Sequence, residues 1–330
     1  MKLLSVVSVV SVFHALTAAA CEKLPEPVRD IEANRFYVDA ASSIVDPALK
    51  AKKDAAVRPL KDFLRAVSTA ADRYAVANDR ESARCALEAL RAWAEGDAML
   101  GTMSSRQADY ERKWMLAGLA IAYLKVRPEA QVRHRSAIEP WLDRVAFEVR
   151  RHFDDPGHAR NNHYYWAGLA VGATAAGTGS PSHWEFARQV FRDATAAIRP
   201  DGTLQLELAR QKKALWYHGF ALAPLVVLAE IAAARGEDWY AMNGGALHRL
   251  VERTLDGISH PESFERLSGY PQDGFERGEL SGDILGWIEP YARRFPDKDL
   301  ATWRGTRRRY IELGGDLTNL PRTVVWIPRS

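Results

Sequence analysis

From residue 48 almost to its end, this chain repeats one pattern. Apolar residues recur every three or four positions in "PLKDFLRAVSTAADRYAVA", "SARCALEALRAWAEGDAML", "ERKWMLAGLAIAYLKV" and "EPWLDRVAFEVRRHF", and again in "HWEFARQVFRDATAAI", "ALAPLVVLAEIAAARG", "GALHRLVERTLDGI" and "SGDILGWIEPYARRF". That spacing gathers apolar side chains on one face of an α-helix, and strand-like alternation is scarce. Short breaks such as "DDPGHARN", "GTGSPS" and "RPDGT" separate the segments. The chain therefore reads as all-α, with about ten helices joined by short turns into antiparallel hairpins. Hairpins set around a ring form an incomplete (α/α) toroid with a groove lined by loops and helix ends. No Pro-, Gly- or Ser-rich linker divides residues 21–330, which read as one toroid domain and as a monomer.

The first twenty residues differ. Lys2 precedes the apolar run "LLSVVSVVSVFHALTAAA", which ends in Ala18, Ala19 and Ala20, the form of a secretory signal peptide. The run is short for a membrane span, and no later segment reads as long enough for one. Residues 1–20 are thus expected to be removed, and residues 21–330 to be periplasmic or secreted. Cleavage before Cys21 also leaves acylation of that cysteine open. Cys21 and Cys85 are the only cysteines; an exported chain with an even count favours their pairing, and two free thiols is the other reading. With 47% hydrophobic and 26% charged residues the composition is ordinary for a globular protein, and a net charge of +3 supplies no global field for nucleic acid.

Metal spacing is missing from the nine histidines, so neither metal nor cofactor is expected. Two polar clusters exceed what a helical scaffold requires. In "NNHYYW", Asn161 to Trp166, one asparagine suffices to cap a helix; Asn162 and His163 add neutral donors and a titratable ring. In "ELARQKKALWYHGFALAPL", Arg210 and Tyr217 are two helical turns apart and share a face if the helix runs unbroken, with Lys213 and His218 beside them. The plain alternatives are a capped core helix and a solvated basic face. The residues alone do not decide between these readings.

Both clusters resemble signatures of the family-5 polysaccharide lyases, the alginate lyases, which carry an N-N-H-x-Y-W motif and a later arginine segment ending in A-L-x-Y-H. The resemblance extends to "RKWMLAGLAIAYLK" at 112–125, "CALEALRAWA" at 85–94, "WIEPY" at 287–291 and "LGGDLT" at 313–318, in the same order. "CEKLPEP" is similar to the family's N-terminal arm, whose cysteine is bridged to the cysteine helix, so the resemblance implies a Cys21–Cys85 disulfide.

What the resemblance implies is β-elimination on an anionic polysaccharide of 1,4-linked uronates, leaving a 4,5-unsaturated product. The C5 proton is hardly acidic while the adjacent carboxylate is charged, so donors must neutralise that group first. Carried over by motif, Asn162 and Arg210 grip the carboxylate, His163 assists or acts as base, and Tyr217 exchanges the proton at C5 and O4. A free phenol has a pKa of about 10, so Tyr217 needs nearby positive charge to act as a base. In mannuronate and glucuronate the C5 hydrogen and O4 lie on one side, and a single tyrosine can serve both; guluronate needs two groups.

Tyr37, Trp114, Trp166 and His218 complete the candidate contacts to substrate, the tryptophans as sugar-stacking platforms or as core. Two positions depart from the family pattern: Phe36 stands where a lid lysine is expected, and Glu312 where an arginine precedes L-G-G. Both point to a broader or shifted polyuronate specificity. Lys125 and the arginines at 307–309 read as solvated. A glycosidase would need two facing carboxylates, for which Glu207 or Asp201 could be recruited. A non-catalytic polyuronate-binding protein is the third reading.

Overall fold

A computed structural model of the chain describes residues 21, 24–275, 282–296, 300, 309–318 and 320. The expected signal peptide at 1–20, and Arg307 and Arg308, lie outside these residues. The helices are α1 (Pro47–Ala77), α2 (Arg80–Glu95), α3 (Arg106–Val126), α4 (Val132–Phe153), α5 (Asn162–Thr178), α6 (Pro181–Ala197), α7 (Gln205–Leu208), α8 (Ala214–Ala234), α9 (Met242–Ser259), α10 (Pro261–Ser268), α11 (Gly282–Leu285) and α12 (Ile288–Arg294). Among the described residues, extended pairing is limited to isolated bridges, such as Tyr37 with Val45.

Packing sorts these helices into two layers. Within hairpins, α1 packs on α2, α3 on α4, α5 on α6 and α8 on α9. Between hairpins, α1 meets α3, α3 meets α5 and α5 meets α8, while α2 meets α4, α4 meets α6 and α6 meets α9. This is a double ring, the expected (α/α) toroid. Among the described residues it is incomplete, because α1 and α8, the ends of the inner layer, do not pack closely on each other.

Sequence accounts for the layers. The outer α2 buries one stripe, Ala83, Ala86, Leu87, Leu90, Trp93 and Ala94, and turns its arginines and glutamates outward. The inner α5 is buried all round from Tyr164 to Thr178. There Gly168 lets α6 come close: a Cβ at this position would sit 2.5 Å from the Val190 side chain. The stretch Gln211–Ala234, which contains α8, is long and apolar enough to span a membrane by composition, contrary to the sequence expectation that no later segment is. Here it is a core helix, buried against α5 and α9.

Lys125, expected in solvent, is 1% exposed, because "LGGDLT" folds over it. Its ammonium donates to Asp72 (2.7 Å) and to the carbonyls of Gly314 (2.6 Å) and Asp316 (2.9 Å). Arg309 joins the same Asp72 at 2.8 Å, so it too is paired. Gly315 is required there twice over: its φ is +96°, and a Cβ would lie 2.5 Å from the Asp72 carboxylate. Cys21 and Cys85 are joined in a disulfide. Beyond it, the arm follows the α2–α3 connection, with Pro25 O accepting from the Trp93 indole at 3.0 Å and Ile31 N donating to Thr102 O at 2.9 Å. That path delivers residues 34–46 to the mouth of the ring.

Candidate active site

A cleft of about 460 Å³ opens where the starts of α3, α5 and α8 meet the 34–46 segment. Asn161 caps α5, its side chain accepting from His163 N at 3.0 Å. The cap aims His163 into the cleft. The ring stacks on Tyr110 with centroids 3.7 Å apart, and its Nδ1 lies 3.2 Å from Lys113 Nζ. Burial, with the cations Lys113, Arg210 and Arg106 around it, holds His163 well below the usual histidine range.

Arg210 and Tyr217 do meet, but not along one helix. Gln211 has φ of +55°, a 3-10 turn runs over Gln211–Lys213, and α8 begins only at Ala214. The break folds Arg210 back, so that its guanidinium carbon lies 4.6 Å from the centre of the Tyr217 ring. Arg210 Nη1 also donates to Ala41 O at 3.3 Å. The Tyr217 hydroxyl donates to that of Tyr37 at 3.1 Å. Burial raises Tyr217 well above the ordinary phenol value, Tyr37 raises it further, and Arg210 opposes them. The expected help from Arg210 is therefore real but outweighed, and the resting group is a phenol.

Asn162 stands behind the cleft wall rather than on it. It is fully buried, with its backbone N–H donating to Glu207 Oε1 at 2.8 Å and its amide nitrogen to both Glu207 oxygens at 3.1 and 2.9 Å. Its amide oxygen has no partner among the described residues. In this arrangement Asn162 fixes the start of α5, and Asn161 is the asparagine that lines the cleft. Glu207 is buried and spent on this bond, and Asp201 on the turn at Thr203, so neither can serve as a facing glycosidase carboxylate. Among the described residues no aspartate or glutamate lines the cleft.

Trp114 and Tyr37 line the cleft as expected, but two other expected contacts do not. Trp166 is 0% exposed, its indole donating to Phe220 O at 3.1 Å, because the inner helix is buried on every side. His218 is also fully buried: Nε2 accepts from Leu204 N at 2.9 Å and Nδ1 bonds Ala214 O at 2.7 Å. Burial pushes it down to about 4, and it pins the turn before α7. Tyr110, Trp216, Phe220, Arg35, Arg106 and His158 line the cleft without having been anticipated. Tyr110 was findable, one helical turn before Trp114; Arg35 and Arg106 carry no local signal.

At the two departures from the family pattern, cations from α1 stand nearby. Lys53 Nζ lies 5.3 Å from the Phe36 ring centre. Lys61 binds Glu312 at 3.0 Å and Glu111 at 2.9 Å. Glu312 is thus neutralised from within.

A family model described as "Alginate lyase" matches residues 30–264. A polysaccharide lyase of Stenotrophomonas maltophilia strain K279a is 40% identical over 306 residues, which cover 91% of this chain and 90% of its own. An alginate lyase of Azotobacter chroococcum mcd 1 is 32% identical over 317 residues, 92% of this chain and 84% of its own. Among solved structures, alginate lyase A1-III from Sphingomonas species A1 superposes with a TM-score of 0.78 at 26% identity, over 91% of this chain and 86% of that one. A histidine-to-alanine variant of A1-III complexed with a tetrasaccharide superposes with a TM-score of 0.80 at 25% identity, over 95% and 90%.

Proposed function

Because the chain belongs to the alginate lyase family, and is thus a polysaccharide lyase, we propose that it cleaves 1,4-linked uronate polymers by β-elimination in the cleft around His163. The observation that carries this reading is the convergence of His163, Arg210 and Tyr217 on one cleft lined by Arg35 and Arg106 and, among the described residues, by no carboxylate. Such a surface attracts a polyanion.

In the proposed reaction, Arg210 and His163 donate to the C5 carboxylate, drawing its charge, while Asn162, held by Glu207, keeps His163 in place. Tyr217, once ionised, takes the C5 proton; the freed electron pair forms the C4–C5 double bond as the C4–O4 bond breaks, and Tyr217 returns the proton to O4. Tyr37, which accepts from the Tyr217 hydroxyl, can relay the proton that the phenol must first shed, passing its own hydroxyl proton to solvent as it accepts. One tyrosine acting on one side of the ring suits polymannuronate, and polyglucuronate equally, since these sugars differ away from the reacting bonds. Trp114 and Trp216 supply sugar-stacking faces. The protein is proposed to act outside the cytoplasm, as the Cys21–Cys85 disulfide supports.

Incubation with polymannuronate, polyguluronate, polyglucuronate and hyaluronan, read by absorbance of the unsaturated product, tests the reading. Polymannuronate or polyglucuronate should yield product. Binding without product from any of the four would favour a non-catalytic role. Tyr217→Phe should abolish turnover while leaving binding within a few-fold; full activity in that variant would remove Tyr217 from the chemistry.

A further inference from the structure

Lys113, from the "RKW" segment of α3, is 0% exposed. A buried lysine is ordinarily matched by a carboxylate, but among the described residues Lys113 has none within ion-pair distance. Its Nζ lies 3.8 Å from the Trp114 ring centre, 4.4 Å from that of Tyr110 and 5.4 Å from that of Phe153. Its polar neighbours are the Tyr110 carbonyl at 3.4 Å and His163 Nδ1 at 3.2 Å. Each of these is a partner for an ammonium: three ring faces attract a cation, and a carbonyl and a ring nitrogen accept its protons.

We propose that Lys113 is the positioning residue that decides which nitrogen of His163 carries the ring proton: its ammonium donates to Nδ1, and the proton is held on Nε2, at the cleft. Burial draws both groups down, and the surroundings of Nζ, three ring faces and the Tyr110 carbonyl, place the shared proton on the lysine. The charges around the pair reinforce this order. Glu111 and Asp109 favour the ammonium and Lys61 opposes it, whereas Arg106, Arg210 and Lys113 all oppose a charged His163.

The consequence is a division of labour. With Nδ1 occupied and Nε2 protonated, His163 presents a hydrogen-bond donor to an anionic group and no lone pair to a carbon-bound proton. Tyr217 is then the acid–base group in the cleft. This consequence rests on the proposed lyase function; the tautomer itself does not.

The test is long-range proton–nitrogen NMR on the full chain labelled with nitrogen-15 histidine, the His163 signal being the one lost in His163→Gln. At neutral pH the wild type should show the proton on Nε2. Lys113→Met, which keeps the length and loses the donor, should move the proton to Nδ1 or into a mixture, and lower kcat by about 100-fold with KM changed less. Lys113→Arg, which donates again, should restore the wild-type signal and much of kcat. A wild-type ring protonated on Nδ1, or a His163 signal that Lys113→Met leaves unchanged, would overturn the proposal. The wild-type spectrum decides even if the methionine variant fails to fold. Since the signal needs no substrate, failure of the lyase reading remains separate from failure of this one.

Discussion

At the scale of single residues, the cleft is governed by burial competing with a few cations. Tyr217 is raised well above the ordinary phenol value, and His163 is held well below the ordinary histidine one. A phenol below its pKa is ionised in a fraction that grows about tenfold per pH unit, so if Tyr217 takes the C5 proton, kcat/KM should climb with that slope into the alkaline range. His163 is already neutral throughout this window and should add no break near pH 6.5. A pH–rate profile on polymannuronate checks both; a flat profile between pH 7 and 9 would sink Tyr217 as the phenolate base. Of the residues in the cleft, His163, Arg210 and Tyr217 were legible because their types are wasteful in a plain scaffold. Asn162 was legible as special but not as buried, since neighbours in sequence at a helix start point to different sides. Lys113 sat within a helical apolar pattern, where a lone lysine resembles a surface residue.

At the scale of elements, periodicity found the helices and missed the break that matters most. The spacing puts Arg210 and Tyr217 on one face only if the helix runs unbroken. It does not: a left-handed turn at Gln211 breaks it, and the guanidinium reaches the ring across that turn. The C-terminal "LGGDLT" shows the converse: a short, mostly irregular motif closes over one buried lysine. Removing that charge takes one donor from the buried Asp72, which keeps Arg309 and the Asp316 N–H, and takes the lysine donor from the Gly314 and Asp316 carbonyls. Lys125→Met should therefore destabilise the protein by about 3–5 kcal/mol, seen as a lowered midpoint in urea unfolding, whereas a substitution of an exposed lysine such as Lys52 should shift it little. An unchanged midpoint for Lys125→Met would mean that the LGGDLT segment is held by its backbone alone.

At the scale of the whole molecule, the disulfide ties the arm that carries Tyr37 to the outer helix α2. It closes a loop of 64 residues, for which loop entropy gives a stabilisation of about 4 kcal/mol. Cys85→Ser should lower the unfolding free energy by that order, and should also raise KM, because the arm leads on to the cleft mouth; wild-type stability with or without reductant would contradict this. The sequence by itself determined the helices, the order of the hairpins and the residue types of the chemistry, because helical spacing and unusual polar clusters are local properties. Tertiary structure alone decided that Trp166 and His218 are core, that Lys125 and Arg309 are paired, that Asn162 faces Glu207 and that Lys113 faces His163. Those outcomes depend on which helix lies on the other side. No spacing along one chain segment records its neighbour across the ring.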